Sequence, residues 1–233
     1  MLLSIFWSGV NPAETLSEVL VMATGKFITF EGGEGSGKST QVTRLLEWLE
    51  DRGIDAIRTR EPGGAPSGEV IRRLLVEGDT DRWQPVTEIL LHYAARTEHL
   101  SRTVVPALEA GTWVVSDRFA DSTFAYQGYG HGFDQDVINQ IHTACVGDLS
   151  PDLTLILDIS VETGLSRAQD RDQGEDRYER MGRDFHKRVR AGFLDIATKD
   201  SARCKVINAE QTVEDVFSDI QSVVNAQLGL SLS

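Results

Sequence analysis

KFITFEGGEGSGKST, residues 26 to 40, decides the fold. KFITFE is a short β-rich run that passes into a cluster of glycines. The glycines pass in turn into QVTRLLEWLEDRG (41–53), whose apolar residues recur at helical spacing until Gly53 stops them. Strand, glycine loop, helix is the order of a phosphate-binding loop, and Gly32 to Ser39 reads GGEGSGKS, a full match to GxxxxGK[ST]. The glycines let the backbone curl until successive N–H groups point at one anion, and the helix opening near Lys38 adds the positive end of its dipole. On this reading Gly32, Gly33, Glu34, Gly35, Ser36, Gly37, Lys38, Ser39 and Thr40 hold a triphosphate. Lys38 reaches the β- and γ-phosphates, and the Ser39 hydroxyl ligates Mg²⁺.

Working outward, DAIRT near residue 57 reads as a second strand, followed by the breaker-rich REPGGAPSG and a helix through Ile71, Leu74 and Leu75. A longer helical stretch runs from about Val86 to Glu109. After Gly111, TWVVSDR reads as a buried strand ending at Asp117 and Arg118. Residues 119 to 133, rich in Gly and aromatics, are expected to be a loop before the helix DQDVINQIHTACVG. LTLILDI (153–159) is the most apolar run and belongs inside a parallel sheet. CKVINA supplies a last strand, and TVEDVFSDIQSVVNAQL an amphipathic closing helix with Thr212 as N-cap. Strands alternating with helices imply an α/β fold, a five-stranded parallel sheet flanked by helices, with ligands at the carboxyl ends of the strands.

At 233 residues the chain suits one compact domain, taken as 22–233, with residues 1–21 expected to be a dispensable or disordered extension. That opening stretch has no Lys or Arg ahead of its short apolar run, so the positive start of a secretory signal is missing. A formal charge of -13 disfavours a nucleic-acid polymer as partner and leaves small phosphorylated ligands open. Cys145 and Cys204 are too far apart in sequence for a metal-ligand spacing and fit a reducing compartment, so the expected location is cytoplasmic, with no membrane partner.

A phosphate loop specifies a triphosphate but not its use. No Asn is followed by the Lys of an NKxD guanine reader, which argues against a GTPase. TWVVSDR ends in Asp-Arg where a large ATPase would carry paired acids, so Arg118 suggests a second anion held near the metal. On the helix from Val86, Glu88, His92, Arg96 and His99 line one face at spacings of four, four and three, and Ile89, Leu90, Tyr93 and Ala94 occupy the opposite one.

FEGGEGSGKST (30–40), TREPGG (59–64), YAARTEHL (93–100), DRFADSTFAYQGYG (117–130), PDLTLILDI (151–159) and INAEQ (207–211) occur in this order, and together they resemble the bacterial thymidylate kinase family from Lys26 to the last helix. The resemblance implies the P-loop kinase fold with a mobile lid at about 166–183, ATP and dTMP as substrates, Mg²⁺ as cofactor and a homodimer. It implies that Arg118 clamps the acceptor's 5′-phosphate with Arg72, as suits planar guanidinium forks. Arg96 would bond the thymine carbonyl, with Thr123 and Gln127 completing the base edge. Tyr126 would close where a ribose 2′-hydroxyl projects. Glu34 would sit near the acceptor sugar and the lid arginine, and Asp117 would hold the Mg²⁺ shell through water. His92 stands where this family carries a phenylalanine stacked on the base, which implies weaker stacking and a ring able to take a proton near pH 6.5.

The segment SRAQDRDQGEDRYERMGRDFHKRVR (166–190) is crowded with both signs of charge. Glu34 is followed by Gly35, so the loop has no arginine beside its acid, and the resemblance assigns that arginine to the lid: Arg171, with Arg167 and Arg177 as neighbours. Rate would then come from aligning two anions and neutralising the transferred group, through Lys38, Mg²⁺ and the lid arginine. Two rivals stay open here: a kinase for another pyrimidine nucleotide such as dCMP or UMP, and a nucleotide-binding regulatory module without turnover.

Overall fold

A computed structural model describes residues 25–169 and 177–230. The expectations for residues 1–21 and for Arg171 lie outside them. Strands β1 (Phe27–Glu31), β2 (Ala56–Arg60), β3 (Trp113–Asp117), β4 (Leu153–Asp158) and β5 (Cys204–Asn208) form one parallel sheet in the order β2-β3-β1-β4-β5. Phe30 registers with Asp117 across the β1/β3 pair, so the chain leaves these two adjacent strands side by side. Neighbouring strands lie about 4.8 Å apart. The glycine loop and the Asp-Arg pair are therefore forced to share one crevice at the carboxyl edge of the sheet.

Both faces of the sheet are covered, which is why its strands read as near-continuous apolar runs. On one face Ile28, Phe30, Val115 and Leu155 are fully or almost fully buried with Val42, Leu45 and Leu49 of α1 (Lys38–Glu50). Packed with them are Val216, Ile220 and Val224 of the closing helix. On the other, Phe27 and Val114 meet Ile89, Tyr93 and Ile138. Each such side chain contributes roughly 1.5–3 kcal/mol by its burial.

Three further helices precede the third strand's exit loop: α2 (Pro66–Val76), α3 (Pro85–His99) and α4 (Val105–Glu109). The stretch expected as one helix from Val86 to Glu109 is continuous but passes through π-helical turns at Leu100–Val104. Pro106 has no N–H for the normal ladder, and the widened turns take up the break. The expected loop 119–133 is a correction. Ala120–Thr123 is a short helix, α5, and Phe124–Gly130 continues it as a π-helix. Gly130 and Gly192 let two backbones close up there: a Cβ on Gly130 would lie 2.6 Å from the Phe185 ring, and one on Gly192 equally close to Tyr129. Then follow α6 (Gln135–Val146), α7 (Val161–Gln169), α8 (Arg183–Lys199) and α9 (Val213–Leu228). Thr212 caps α9 as expected, its hydroxyl accepting from Asp215 N at 3.2 Å.

The polar face of α3 turns inward. Glu88, Arg96 and His99 are buried, while Leu90 is 53% exposed and Ala94 faces out. The polar stripe forms the inner wall of a cleft.

Candidate active site

A cleft of about 260 Å³ runs along the carboxyl edge of the sheet, from Lys38 and Ser39 at one end to His92, Arg96 and Gln127 at the other. It brings together the phosphate loop, both arginines expected to hold the acceptor, and the residues expected at the base edge.

At the donor end, Gly35 and Gly37 take positive φ angles of 65° and 90°, the left-handed region open to glycine. Gly37 precedes α1, and no side chain caps that helix, so its first-turn N–H groups remain available to an anion. Lys38 Nζ donates to the carbonyls of Gly32 (3.1 Å) and Gly33 (2.8 Å) and to Ser36 Oγ (3.2 Å). Burial and the nearby Arg118 charge bring its ammonium down to about 8, against the pull of Asp117 and Glu34. The Ser39 hydroxyl donates to Asp117 Oδ2 at 2.7 Å. These two hard oxygen ligands stand side by side where a phosphate-bound cation would meet them. Among the described residues no group of three or more His, Cys, Asp or Glu forms a metal cage. That donor set fits Mg²⁺, which takes one or two protein oxygens and completes its shell with water and phosphate.

Arg118 stands at the centre. Its φ of 72° is the left-handed region, unusual for a side chain this large and a strain of about 1–3 kcal/mol. The strain is held by Glu31, whose Oε1 accepts from Phe119 N (2.8 Å) and whose Oε2 accepts from the Ser122 hydroxyl (2.6 Å). Burial, reinforced by the Asp121 carboxylate, pushes Glu31 up to about 8. From this turn Arg118 donates to Gly32 O and Ser122 Oγ through Nη1, and to Glu34 Oε1 and Tyr126 Oη through Nη2, all at 3.0–3.1 Å. The Tyr126 hydroxyl donates in turn to Glu34 Oε1 at 2.7 Å. Burial works against the charge on Glu34, and Arg118 with Lys38 more than offsets it, so the carboxyl is held below its usual range. Arg72 Nη1 donates to Pro62 O at 2.7 Å, which directs this helix α2 arginine along the cleft wall.

At the far end, Arg96 is only 2% exposed. Its Nε donates to Glu61 Oε2 at 2.8 Å, and its Nη2 donates to Thr123 Oγ1 (3.0 Å) and Phe119 O (3.2 Å). Glu61 Oε1 in turn lies 2.9 Å from His99 Nδ1, and His99 Nε2 lies 2.6 Å from Thr59 Oγ1. Two buried atoms on this wall have no partner among the described residues: Arg96 Nη1, a donor, and Gln127 Oε1, an acceptor. His92 Nε2 meets the Tyr178 hydroxyl at 3.0 Å. Burial lowers the imidazole to about 4, so His92 is neutral through the physiological range; the expectation of a proton near pH 6.5 is not met.

The arginines expected on the lid separate. Arg177, 1% exposed, donates to the carbonyls of Leu75, Asp79 and Thr80 and to Glu88 Oε2. It ties the chain at residue 177 to α2 and α3. Arg167 reaches Ala209 O at 3.2 Å. Residue pairs also tie the loop to α7: a Cβ on Gly35 would lie 1.9 Å from Gly164 O, and one on Gly164 would lie 2.5 Å from Glu34 O.

Glu31, Glu61, Glu88, His99 and Tyr178 are site-building residues that sequence reasoning did not assign. Glu61 sits inside TREPGG and Glu88 and His99 on the polar stripe, so the stripe's spacing was the signal for two of them. Nothing local marks Glu31 or Tyr178.

A phosphate loop on β1, an arginine in a left-handed turn on β3 and a polar wall beyond them define a P-loop phosphotransferase with a second, nucleotide-sized acceptor pocket. The family model for thymidylate kinase matches residues 30–220. Thymidylate kinase of Caulobacter vibrioides is 51% identical over 209 residues, covering 90% of this chain and 100% of its own. That of Ruegeria pomeroyi is 49% identical, over 88% of this chain and 97% of its own. The crystal structure of thymidylate kinase from Ehrlichia chaffeensis superposes with a TM-score of 0.71 at 36% identity, over 86% of this chain and 98% of that one. The chain belongs to the thymidylate kinase family.

Proposed function

We propose that this protein transfers the γ-phosphoryl group of ATP to dTMP, giving ADP and dTDP. The observation that carries the base assignment is the pair of buried, unpartnered atoms, Arg96 Nη1 and Gln127 Oε1. A donor and an acceptor on residues of one cleft wall match the 4-carbonyl and N3–H of thymine, and leaving either atom unpaired in the complex would cost about 1–3 kcal/mol.

The acceptor phosphate is already an anion, so no strong base is needed and catalysis is positioning plus charge neutralisation. Arg118 and Arg72 hold the acceptor phosphate. Lys38 exchanges its loop carbonyls for the donor's terminal phosphate oxygens. Glu34, fixed by Arg118 and Tyr126, orients the acceptor's sugar side, and the ring of Tyr126 closes the place of a ribose 2′-hydroxyl. Mg²⁺, held by Ser39 and Asp117, supplies further neutralisation of the phosphates when bound. Arg171, outside the described residues, is the lid arginine that meets the transferred group.

The unit that does this is 22–233, and deletion of residues 1–21 is expected to leave it active. It works in the cytoplasm; among the described residues no helix is long and apolar enough to cross a membrane. A homodimer is supported by Val70, Val86 and Leu90, exposed at 55%, 43% and 53% on the packed pair α2 and α3. Light scattering would give its mass. ADP release measured with dTMP, dCMP, UMP and thymidine in turn tests the reaction: dTMP is the expected acceptor, and preference for any other would overturn the assignment.

A further inference from the structure

The geometry points to Glu88 as the residue that decides which pyrimidine the cleft accepts, by holding the Gln127 amide with its nitrogen turned to the carboxylate and its oxygen left to read the base. This inference rests on the proposed dTMP reaction and adds a residue to it.

The two ends of a glutamine amide are nearly the same size and opposite in hydrogen-bond sense, so a partner must choose between them. Glu88 is 2% exposed, and its Oε1 accepts from Gln127 Nε2 at 2.8 Å and from the Tyr178 hydroxyl at 3.0 Å. Burial works against its charge, while His92, Arg177 and the Gln127 amide more than offset that and hold the carboxyl below its usual range. Because His92 is neutral above about 4, the lasting countercharge is the guanidinium of Arg177. An ionised carboxylate can only accept, and turning the amide over would set two oxygens against each other in a buried site.

Arg96 cannot change its sense, since a guanidinium only donates, and Glu61 and Thr123 fix it. The Gln127 amide, by contrast, could present either end, and Glu88 removes that ambiguity. With the oxygen presented, thymine finds both partners. Cytosine meets neither, because its N3 lone pair would face the Gln127 oxygen and its 4-amino group would face Arg96. The glutamate sits on α3 and the glutamine in the π-helical turns after β3, so the two are joined only by the fold.

The test compares kcat/KM for dTMP and dCMP, with ATP, in the wild type and in Glu88→Gln. The new amide can donate to Gln127 Oε1 and let Gln127 turn its nitrogen toward the base. The dTMP preference should fall at least about tenfold, mainly through opposite changes in the two KM values. An unchanged ratio, including equal losses on both nucleotides, would overturn the inference. Should thermal melting show that Glu88→Gln does not fold, Glu88→Asp keeps the charge beside Arg177 but withdraws it from Gln127, with the same change expected. Independently of any variant, NMR exchange of the Gln127 side-chain NH₂ protons in nucleotide-free wild type should be slow. Exchange as fast as in free glutamine would overturn the assignment. A wild type that ignores dTMP but shows this protection would defeat the proposed reaction and leave the amide orientation standing.

Discussion

Arg118 Nη2 lies 3.1 Å from Glu34 Oε1, so the glycine loop after β1 and the turn after β3 are joined by a charged hydrogen bond. The guanidinium spreads its donors over Gly32, Ser122, Glu34 and Tyr126, a pattern that an ammonium with three converging donors cannot copy. Arg118→Lys should raise KM for dTMP on the order of 10²-fold while KM for ATP changes only a few-fold. Steady-state kinetics with each substrate varied in turn decide it; a matching rise for ATP would remove Arg118 from the acceptor side.

Arg177 and Arg171 should behave in opposite ways. Arg177→Ala leaves Glu88 buried without its counterion, a loss of about 3–5 kcal/mol that lowers Tm by roughly 10 °C. Arg171→Ala should lower kcat by about 10³ to 10⁵ with dTMP affinity within a few-fold. Melting curves and single-turnover rates on both variants test this, and an exchange of the two phenotypes would refute it.

Lys38 gives a pH signature in the nucleotide-free protein. Its folded value near 8 lies below the ordinary 10.5, so between these limits the unfolded chain binds more protons and stability rises with pH, by up to about 3 kcal/mol. Below about 8 the ammonium is charged in both states and the slope from this residue vanishes. ATP affinity should hold steady up to about pH 8 and fall above it. Urea melts at pH 7.5 and 10, compared with Lys38→Met, measure the difference; identical slopes in the two proteins would contradict it.

His92 is the corresponding case on the acid side. With a folded value near 4 against the usual 6.5, it is neutral in the fold while the unfolded chain takes a proton, so its contribution to stability is lost as pH falls from 6.5 toward 4. Through pH 5.5 to 8, KM for dTMP should carry no inflection from this ring. His92→Phe should lower that KM by about threefold through wider stacking, with the pH profile unchanged in shape. An inflection near 6.5 that disappears in His92→Phe would show the ring to be charged.

The five strands and the donor loop were legible because local pattern suffices for them: a glycine cluster between a strand and a helix has one common use, and apolar runs of five or six residues have few other homes. Thr123 and Gln127 were legible only through family resemblance. What escaped were groups that act through other groups. Glu31 is an ordinary end-of-strand acid until the fold places Phe119 N and Ser122 against its two oxygens. Tyr178 reaches Glu88 over a separation of 90 residues. Arg177 looked like a lid cation, and only its carbonyl partners on α2 and beyond show it to be an anchor. The turns after Phe119 read as a loop because Gly128 and Gly130 suggest breakers, whereas packing against α8 keeps them helical.

Gly164 lies inside helix α7, where glycine is less favourable than alanine by about 1 kcal/mol. What that concession secures is bare backbone against bare backbone, the carbonyl of Gly164 on Gly35 and that of Glu34 on Gly164. No compliant side chain lies between them to absorb a displacement. A tilt of α7 is therefore transmitted to the glycine loop, and a change of shape in the loop pushes back on the helix. Loop and helix are geared together at a joint made of two hydrogen atoms.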